Sequence, residues 1–252
     1  MEEISQKMKK DWSDRAKENA YHWVDSSKKD WDKSEYYKGG VSEVEEYVLP
    51  IFKKGAIKID ALSKMRALDI GCGTGRLSVA MAKYFGKVDG VDVSEDMIDI
   101  AKRDNKDISN VDFHINNGVD LSGIKNDVYD FVFSFIVFQH IPKRSIIKNY
   151  IKEIYRVLKP GSYMQVQVRG YPGYLASGVP AYQYKGFDSF YMGVSRKKSL
   201  PVPVFHRYDT LFGAFFKDGE ISDVASKIGY RNIETFYTAG NSRYLWIRAV
   251  KR

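Results

Sequence analysis

The chain has 252 residues, 44% of them hydrophobic, and 40 Lys and Arg against 32 Asp and Glu give a net charge of +8. That is enough apolar content to build a substantial core in one large domain, or one domain with a cap, and it excludes collagen-like, disordered and disulfide-scaffold classes. A single cysteine, Cys72, allows no internal disulfide and no multi-cysteine zinc site; with a charged N-terminal segment lacking an apolar signal region, and no stretch of the roughly 20 apolar residues that a membrane span needs, the expectation is a cytoplasmic protein.

Residues 1–48 are strongly charged and contain no strand-like alternation. Trp12, Arg15, Ala16, Asn19 and Trp23 recur at spacings of three and four, which predicts one helix. Gly39-Gly40 punctuates the segment, and a second short helix is expected from Ser42 to near Pro50. The segment reads as a helical lid or cap, with residues 49–252 forming the main domain.

From residue 65 the pattern changes. A short apolar strand at 67–70 ends in Gly71-Cys72-Gly73-Thr74-Gly75, and a helix carrying Leu77, Ala80 and Met81 follows. A second strand at 88–93 leads to Ser94, a helix cap with Glu95 and Asp96 in the first turn behind it. Strands are predicted at 111–115, 129–134 and 163–168, with a helix at 143–158 stopped by Lys159-Pro160-Gly161. Residues 169–212 interrupt this rhythm with Tyr, Gly and Pro and read as an insertion after strand five. A helix at 220–228 ends at Gly229, and strands at 233–238 and 244–250 form a closing antiparallel hairpin. The alternation predicts an α/β fold: a doubly wound, mostly parallel seven-stranded sheet with a C-terminal antiparallel hairpin strand.

The glycine-rich turn sits between a strand and a helix, where glycines let the backbone turn tightly and a ligand approach the main chain. Asp69 precedes it. Asp92 ends the next strand, 19 residues after Gly73, the place for a carboxylate that accepts from ribose hydroxyls. A dinucleotide fingerprint, G-x-G-x-x-G/A, requires a small residue at position 76, which is Arg76. Glycines at 71, 73 and 75 therefore argue against NAD and FAD, and the absence of Gly-Lys-Ser/Thr argues against a P-loop. Lys and Arg are scattered, with Arg196-Lys197-Lys198 the one compact run, so the positive charge reads as a solvated surface before it reads as a nucleic-acid stripe.

Leu68-Asp69-Ile70-Gly71-Cys72-Gly73-Thr74-Gly75 resembles motif I of the class I S-adenosylmethionine-dependent methyltransferases, which have a Rossmann-like fold. Val91-Asp92-Val93-Ser94-Glu95-Asp96-Met97, Tyr129-Asp130-Phe131-Val132-Phe133-Ser134 with Gln139-His140-Ile141-Pro142, and Glu153-Ile154-Tyr155-Arg156-Val157-Leu158-Lys159-Pro160-Gly161 are similar to three further motifs in the expected order. The resemblance implies S-adenosyl-L-methionine as cofactor, S-adenosyl-L-homocysteine as product, and a contact set of Asp69, Gly71, Cys72, Gly73, Gly75, Arg76, Asp92, Val93 and Met97. For the adenine the family often uses an Asp; by register from Leu121 its place falls on Asn117, with Asp120 as the alternative and Gly118 and Val119 offering backbone groups. Ser134 and Phe135 leave strand four near the methionine part. From the lid, Arg15 is a partner for the methionine carboxylate and Tyr21 an aromatic beside the sulfonium, although core packing serves either equally well.

Methyl transfer from a sulfonium is direct displacement, so Cys72 is read as a small loop residue, not a nucleophile. His140 is the candidate general base, against a plain role in holding its loop, and His206 is a second candidate. Tyr171, Tyr174, Tyr182, Tyr184, Phe187, Phe190 and Tyr191 form the expected acceptor wall, with Lys185, Arg196, Lys197, Lys198 and Arg207 available to an anionic acceptor. No metal-ligand spacing is evident. The leading function is methylation of a small-molecule acceptor at O or N, with an RNA-modifying enzyme and a non-catalytic cofactor-binding protein as alternatives. The sequence leaves the oligomeric state open.

Overall fold

A computed structural model describes residues 2–54, 58–170, 182–183, 190–191, 210, 213–217, 219–238 and 241–252. The sheet runs through β1 (Arg66–Ile70), β2 (Lys87–Asp92), β3 (Val111–Ile115), β4 (Tyr129–Ser134), β5 (Leu158–Gly170), and, beyond two short strands β6 (Tyr182–Gln183) and β7 (Phe190–Tyr191) that pair with each other, β8 (Phe215–Phe216), β9 (Arg231–Thr238) and β10 (Asn241–Val250). Its order is β3-β2-β1-β4-β5-β10-β9. The first five strands are parallel, and β10 enters antiparallel between β5 and β9. The expected doubly wound sheet with a closing hairpin is present.

Side-chain alternation along β1 and β4 explains the two layers. Leu68, Ile70 and Val132 join one core cluster with α6 (Arg144–Val157) and α7 (Glu220–Ile228). Ala67, Phe131 and Phe133 face the other side, against α4 (Arg76–Met81) and α5 (Glu95–Asp104). A strand of period two covered on both faces is mostly apolar, as β1 and β4 are apart from Arg66, Asp69, Asp130 and Ser134.

The sequence reading missed β8. It pairs parallel with Arg169 and Gly170, on the edge of β5 that β4 leaves after Ser134, while β10 holds the opposite edge of β5. Lys159-Pro160-Gly161 does not delay strand five. The pairing passes from Tyr129↔Leu158 to Phe131↔Tyr163, so the turn is carried as a bulge inside the strand.

The N-terminal segment differs more. The first helix, α1 (Glu2–Val24), is not continuous: Asn19 has φ −170 and ψ 89, and its side chain accepts from the His22 amide, capping the turn that follows. Gly39-Gly40 is not a break. Both lie inside α2 (Lys33–Glu43), which runs into a π-helical turn at Val44–Val48 and α3 (Leu49–Lys54). A Cβ on Gly40 would stand 2.7 Å from the Arg76 carbonyl oxygen, so the glycine is there for close approach of α2 to α4. Val44 and Val48 share one cluster with Phe52, Phe85 and Phe131, so this part of the cap is continuous with the core. Among the described residues no helix is long and apolar enough to cross a membrane.

Candidate active site

At the carboxyl end of β1 the chain turns through three left-handed glycines, Gly71 (φ 76), Gly73 (φ 53) and Gly75 (φ 86). The amides of Gly71 and Cys72 donate to the Val91 carbonyl, which ties the loop to β2. Asp92 lies against the loop: one carboxylate oxygen accepts from the Gly73 amide and the other from the Ser94 amide, each at 2.9 Å. Ser94 in turn accepts from the Met97 amide and starts α5. Burial pushes the Asp92 carboxyl above its ordinary range, against the three backbone amides that favour its charge. Burial also raises Asp69, to about 6, although the Ser78 hydroxyl donates to it at 2.7 Å. Burial and the two neighbouring carboxylates hold the Cys72 thiol protonated, well above its usual range, which suits a loop residue better than a nucleophile.

A cleft of about 980 Å³, its mouth included, opens on this loop. Asp69, Gly71, Cys72, Gly73, Arg76, Asp92, Val93, Met97, Gly118, Phe135 and His140 all line it. The N-terminal helix α1 supplies Met8, Trp12, Trp23 and Val24. Val24 approaches Gly73 so closely that a Cβ there would lie 2.7 Å from it. The cleft's bare glycine backbone, paired carboxylates and apolar walls fit an adenosine carrying a cationic sulfonium.

Other expected residues lie elsewhere. Gly75 faces Phe113, whose ring would be 2.6 Å from a Cβ, so its glycine serves packing. Ser134 is buried below the floor and donates to the Ile70 carbonyl. Asn117 does not line the cleft, because its side-chain oxygen accepts from the Val119 and Asp120 amides and closes a turn. Asn116, one residue earlier, does: it donates to the Tyr150 hydroxyl and accepts from the Gly118 amide. Val119 instead gives its carbonyl to Asn149. Tyr21 donates to Asp104, away from the cleft. Arg15 is fully buried between Trp12 and Trp23, its guanidinium carbon 4.3 and 5.4 Å from their ring centres, and one nitrogen donates to Thr210. Arg76 reaches the cleft wall, but its guanidinium pairs with Glu43 at 2.7 Å and Asp25 at 3.6 Å and lies over Tyr36.

His140 meets Trp12 edge to face, ring centres 5.2 Å apart. The segment that returns from the insertion docks beside it: the Gly213 amide donates to Gln139 and the Ala214 amide to Ile141. A Cβ on Gly213 would sit within 2.6 Å of three backbone atoms there. Thr210 meets α1, where it donates to Asp11 and accepts from Arg15. The aromatic and basic residues expected to hold an acceptor, with His206, lie outside the residues whose side chains are described.

Pairing of β2 with β3 also brings together Asp89, Asp112 and His114, their ligand atoms within 4.8 Å of one another. Local spacing hides such a cluster. Arg66 already engages both oxygens of Asp89, and Lys87 pairs with Asp112 at 2.7 Å.

Residues 67–161 match the family described as a methyltransferase domain. The chain is 28% identical over 148 residues to a ubiquinone biosynthesis O-methyltransferase of Hydrogenovibrio crunogenus, covering 58% of each chain. It is 32% identical over 107 residues to a demethylmenaquinone methyltransferase of Staphylococcus saprophyticus, covering 41% of this chain and 44% of that one. The matches thus span about half the length of these relatives. Among solved structures, a magnesium protoporphyrin IX methyltransferase of Synechocystis with bound SAH aligns over 97% of this chain and 98% of its own, at 15% identity and a TM-score of 0.61. A Pyrococcus horikoshii protein aligns over 87% and 93%, at 20% identity and a TM-score of 0.62.

Proposed function

We propose that the chain, whose residues 67–161 match a methyltransferase domain, is a class I S-adenosylmethionine-dependent methyltransferase that methylates a small-molecule acceptor by direct displacement. The observation that carries this is the left-handed glycine loop lying on the Asp92 carboxylate at the floor of a lidded cleft. When bound, S-adenosylmethionine supplies an already activated methyl group. The protein's part is then binding, alignment and exclusion of water.

In this reading Asp92 accepts from the ribose hydroxyls while the Gly73 and Ser94 amides hold its charge in place. Gly118 and Asn116 stand on the adenine side, and Met97 packs beside it. Asp69 and Asp92 provide the negative charge that a sulfonium prefers. Trp12, Trp23 and Val24 roof the cleft and keep water out. His140, on the wall beyond β4, takes the acceptor proton. The relative named as an O-methyltransferase of ubiquinone biosynthesis favours a hydroxyl acceptor, and the apolar walls made by Trp12 and Phe135 suit an apolar one. The cap at 1–48 closes the cofactor side, and the insertion at 169–212 serves the acceptor.

Incubation with methyl-labelled S-adenosylmethionine and cell extract tests the reading. Label in small molecules supports it, and label in RNase-sensitive polymer replaces it with RNA modification. Cofactor binding without label on any acceptor leaves a binding protein. His140→Ala should slow transfer roughly 100- to 10,000-fold, the usual worth of a positioned base, with cofactor affinity retained; unchanged turnover removes His140 from the mechanism.

A further inference from the structure

Ile136 stands two residues beyond β4 with φ at 57°. A β-branched side chain is strained there, and the conformation persists only where its surroundings hold it. The Ile136 side chain packs against the core cluster around Phe133 and Trp246, and its amide donates to the side-chain oxygen of Gln167 at 3.0 Å. Gln167 is fully buried in β5, and its own amide nitrogen donates to the Val168 carbonyl at 2.6 Å. The side chain is therefore fixed at both ends.

The strained residue is also a wall. Phe135, Ile136 and Val137 all face the cleft, and Val137 lies so close over Gly71 that a Cβ there would be 2.3 Å away. Gln165, two residues earlier on β5, fastens the facing element in the same manner. It donates to the Tyr47 carbonyl at 2.6 Å, within the π-helical turn, and the Tyr47 ring lies 5.0 Å from that of Phe135. Two buried glutamines on one strand thus pin the two backbones that meet at Phe135.

The geometry points to Gln167 as a positioning residue for methyl transfer. It holds Ile136 in the left-handed region and thereby fixes Phe135 and Val137 as the wall against which the acceptor is aligned. It acts through Ile136 and rests on the methyl-transfer reading. The cofactor-side hydrogen bond from Gly73, in the loop after β1, to Asp92, at the end of β2, involves neither Ile136 nor Gln167.

Gln167→Met keeps the length of the side chain and removes both hydrogen bonds. In the ligand-free protein, amide exchange at Ile136 should quicken at least about tenfold while the Phe131–Phe133 amides stay protected. With an acceptor, kcat should fall roughly tenfold to a hundredfold, the scale of a 1 Å misplacement, while the Kd for S-adenosylhomocysteine moves less than about threefold. Glycine adopts φ near 57° without strain. In an Ile136→Gly background the same Gln167→Met change should therefore lower kcat less than about threefold. If the single variant is too unstable to purify, recovery of a folded, active double variant supports the same conclusion. Unchanged Ile136 exchange refutes the clamp, and equal kcat losses in both backgrounds refute positioning through Ile136. A wild-type protein that binds S-adenosylhomocysteine and methylates nothing breaks the methyl-transfer reading and the positioning role with it, while the exchange result separately decides the clamp.

Discussion

Gly39 and Gly40 are neighbours in α2, and replacing each with alanine separates two effects that are normally mixed. Glycine inside a helix is less favourable than alanine by about 0.5–1 kcal/mol, because it has more backbone freedom to lose. Both substitutions gain that amount. Among the described residues a Cβ on Gly39 would meet only the Arg76 guanidinium nitrogen, at 3.5 Å, an ordinary van der Waals contact. A Cβ on Gly40 would lie 2.7 Å from the Arg76 carbonyl oxygen, 2.9 Å from its Cγ and 3.2 Å from its carbonyl carbon. Backbone at the start of α4 cannot step aside without moving the glycine loop, and overpacking of this kind costs about 1–3 kcal/mol. Gly39→Ala should therefore stabilise by about 0.5–1 kcal/mol, and Gly40→Ala should fall below it by about 1–3 kcal/mol. For a chain of this size each kcal/mol shifts the melting temperature by roughly 2–4 °C, so thermal unfolding followed by circular dichroism resolves the pair. Equal melting temperatures would refute the close approach of α2 to α4, and with it the account of why these glycines are in a helix at all.

Asp92→Asn leaves one acceptor for two backbone amides and removes the charge, so the affinity for S-adenosylhomocysteine should weaken by about 1.5–3 kcal/mol, roughly 10- to 150-fold. Titration calorimetry reads this, and a Kd within twofold of wild type would take Asp92 out of the binding site. Asp69 ionises at about 6 in the folded protein because it is buried, above its ordinary value of 3.8. The folded state therefore holds a proton that the unfolded chain has lost between pH 4 and 6, so rising pH through that window lowers stability, by up to about 3 kcal/mol from this group. Asp69→Asn should remove that slope relative to wild type in urea melts taken across the window; parallel curves for the two proteins would contradict it.

What could be read in advance was whatever local chemistry determines. The strand, glycine turn, Asp92 and Ser94 cap follow from neighbours in sequence, and the structure assembles them as one unit. The glycines that serve tertiary contacts were opaque, because nothing adjacent to Gly40 announces Arg76, and nothing beside Gly75 announces Phe113. Asn116 and Asn117 show the limit of register. The two side chains have the same chemistry, and their hydrogen bonds alone decide that one faces the cleft and the other closes a turn. Asn19 broke a helical spacing that otherwise looked continuous, since a side-chain cap can replace a helical amide acceptor without changing the apolar periodicity.

The two arginines assigned to the ligand carry a further lesson about charge. A guanidinium near a site in sequence reads as a cation for an anionic ligand. In the structure Arg76 turns toward Asp25 and Glu43, and Arg15 is enclosed by Trp12 and Trp23 with Thr210 at its end. Burying either charge demands such partners; residues 25 and 43 of the N-terminal segment supply them for Arg76, and Trp12, Trp23 and Thr210 for Arg15. As a result the Arg76 charge is met by Asp25 and Glu43 of the N-terminal segment, and the cleft floor keeps Asp69 and Asp92. A floor of that sign favours a cationic ligand and loses its attraction once the cation becomes a neutral thioether. In the proposed reading, closure of the site by the N-terminal segment and a preference for a sulfonium over its product follow from the same contacts.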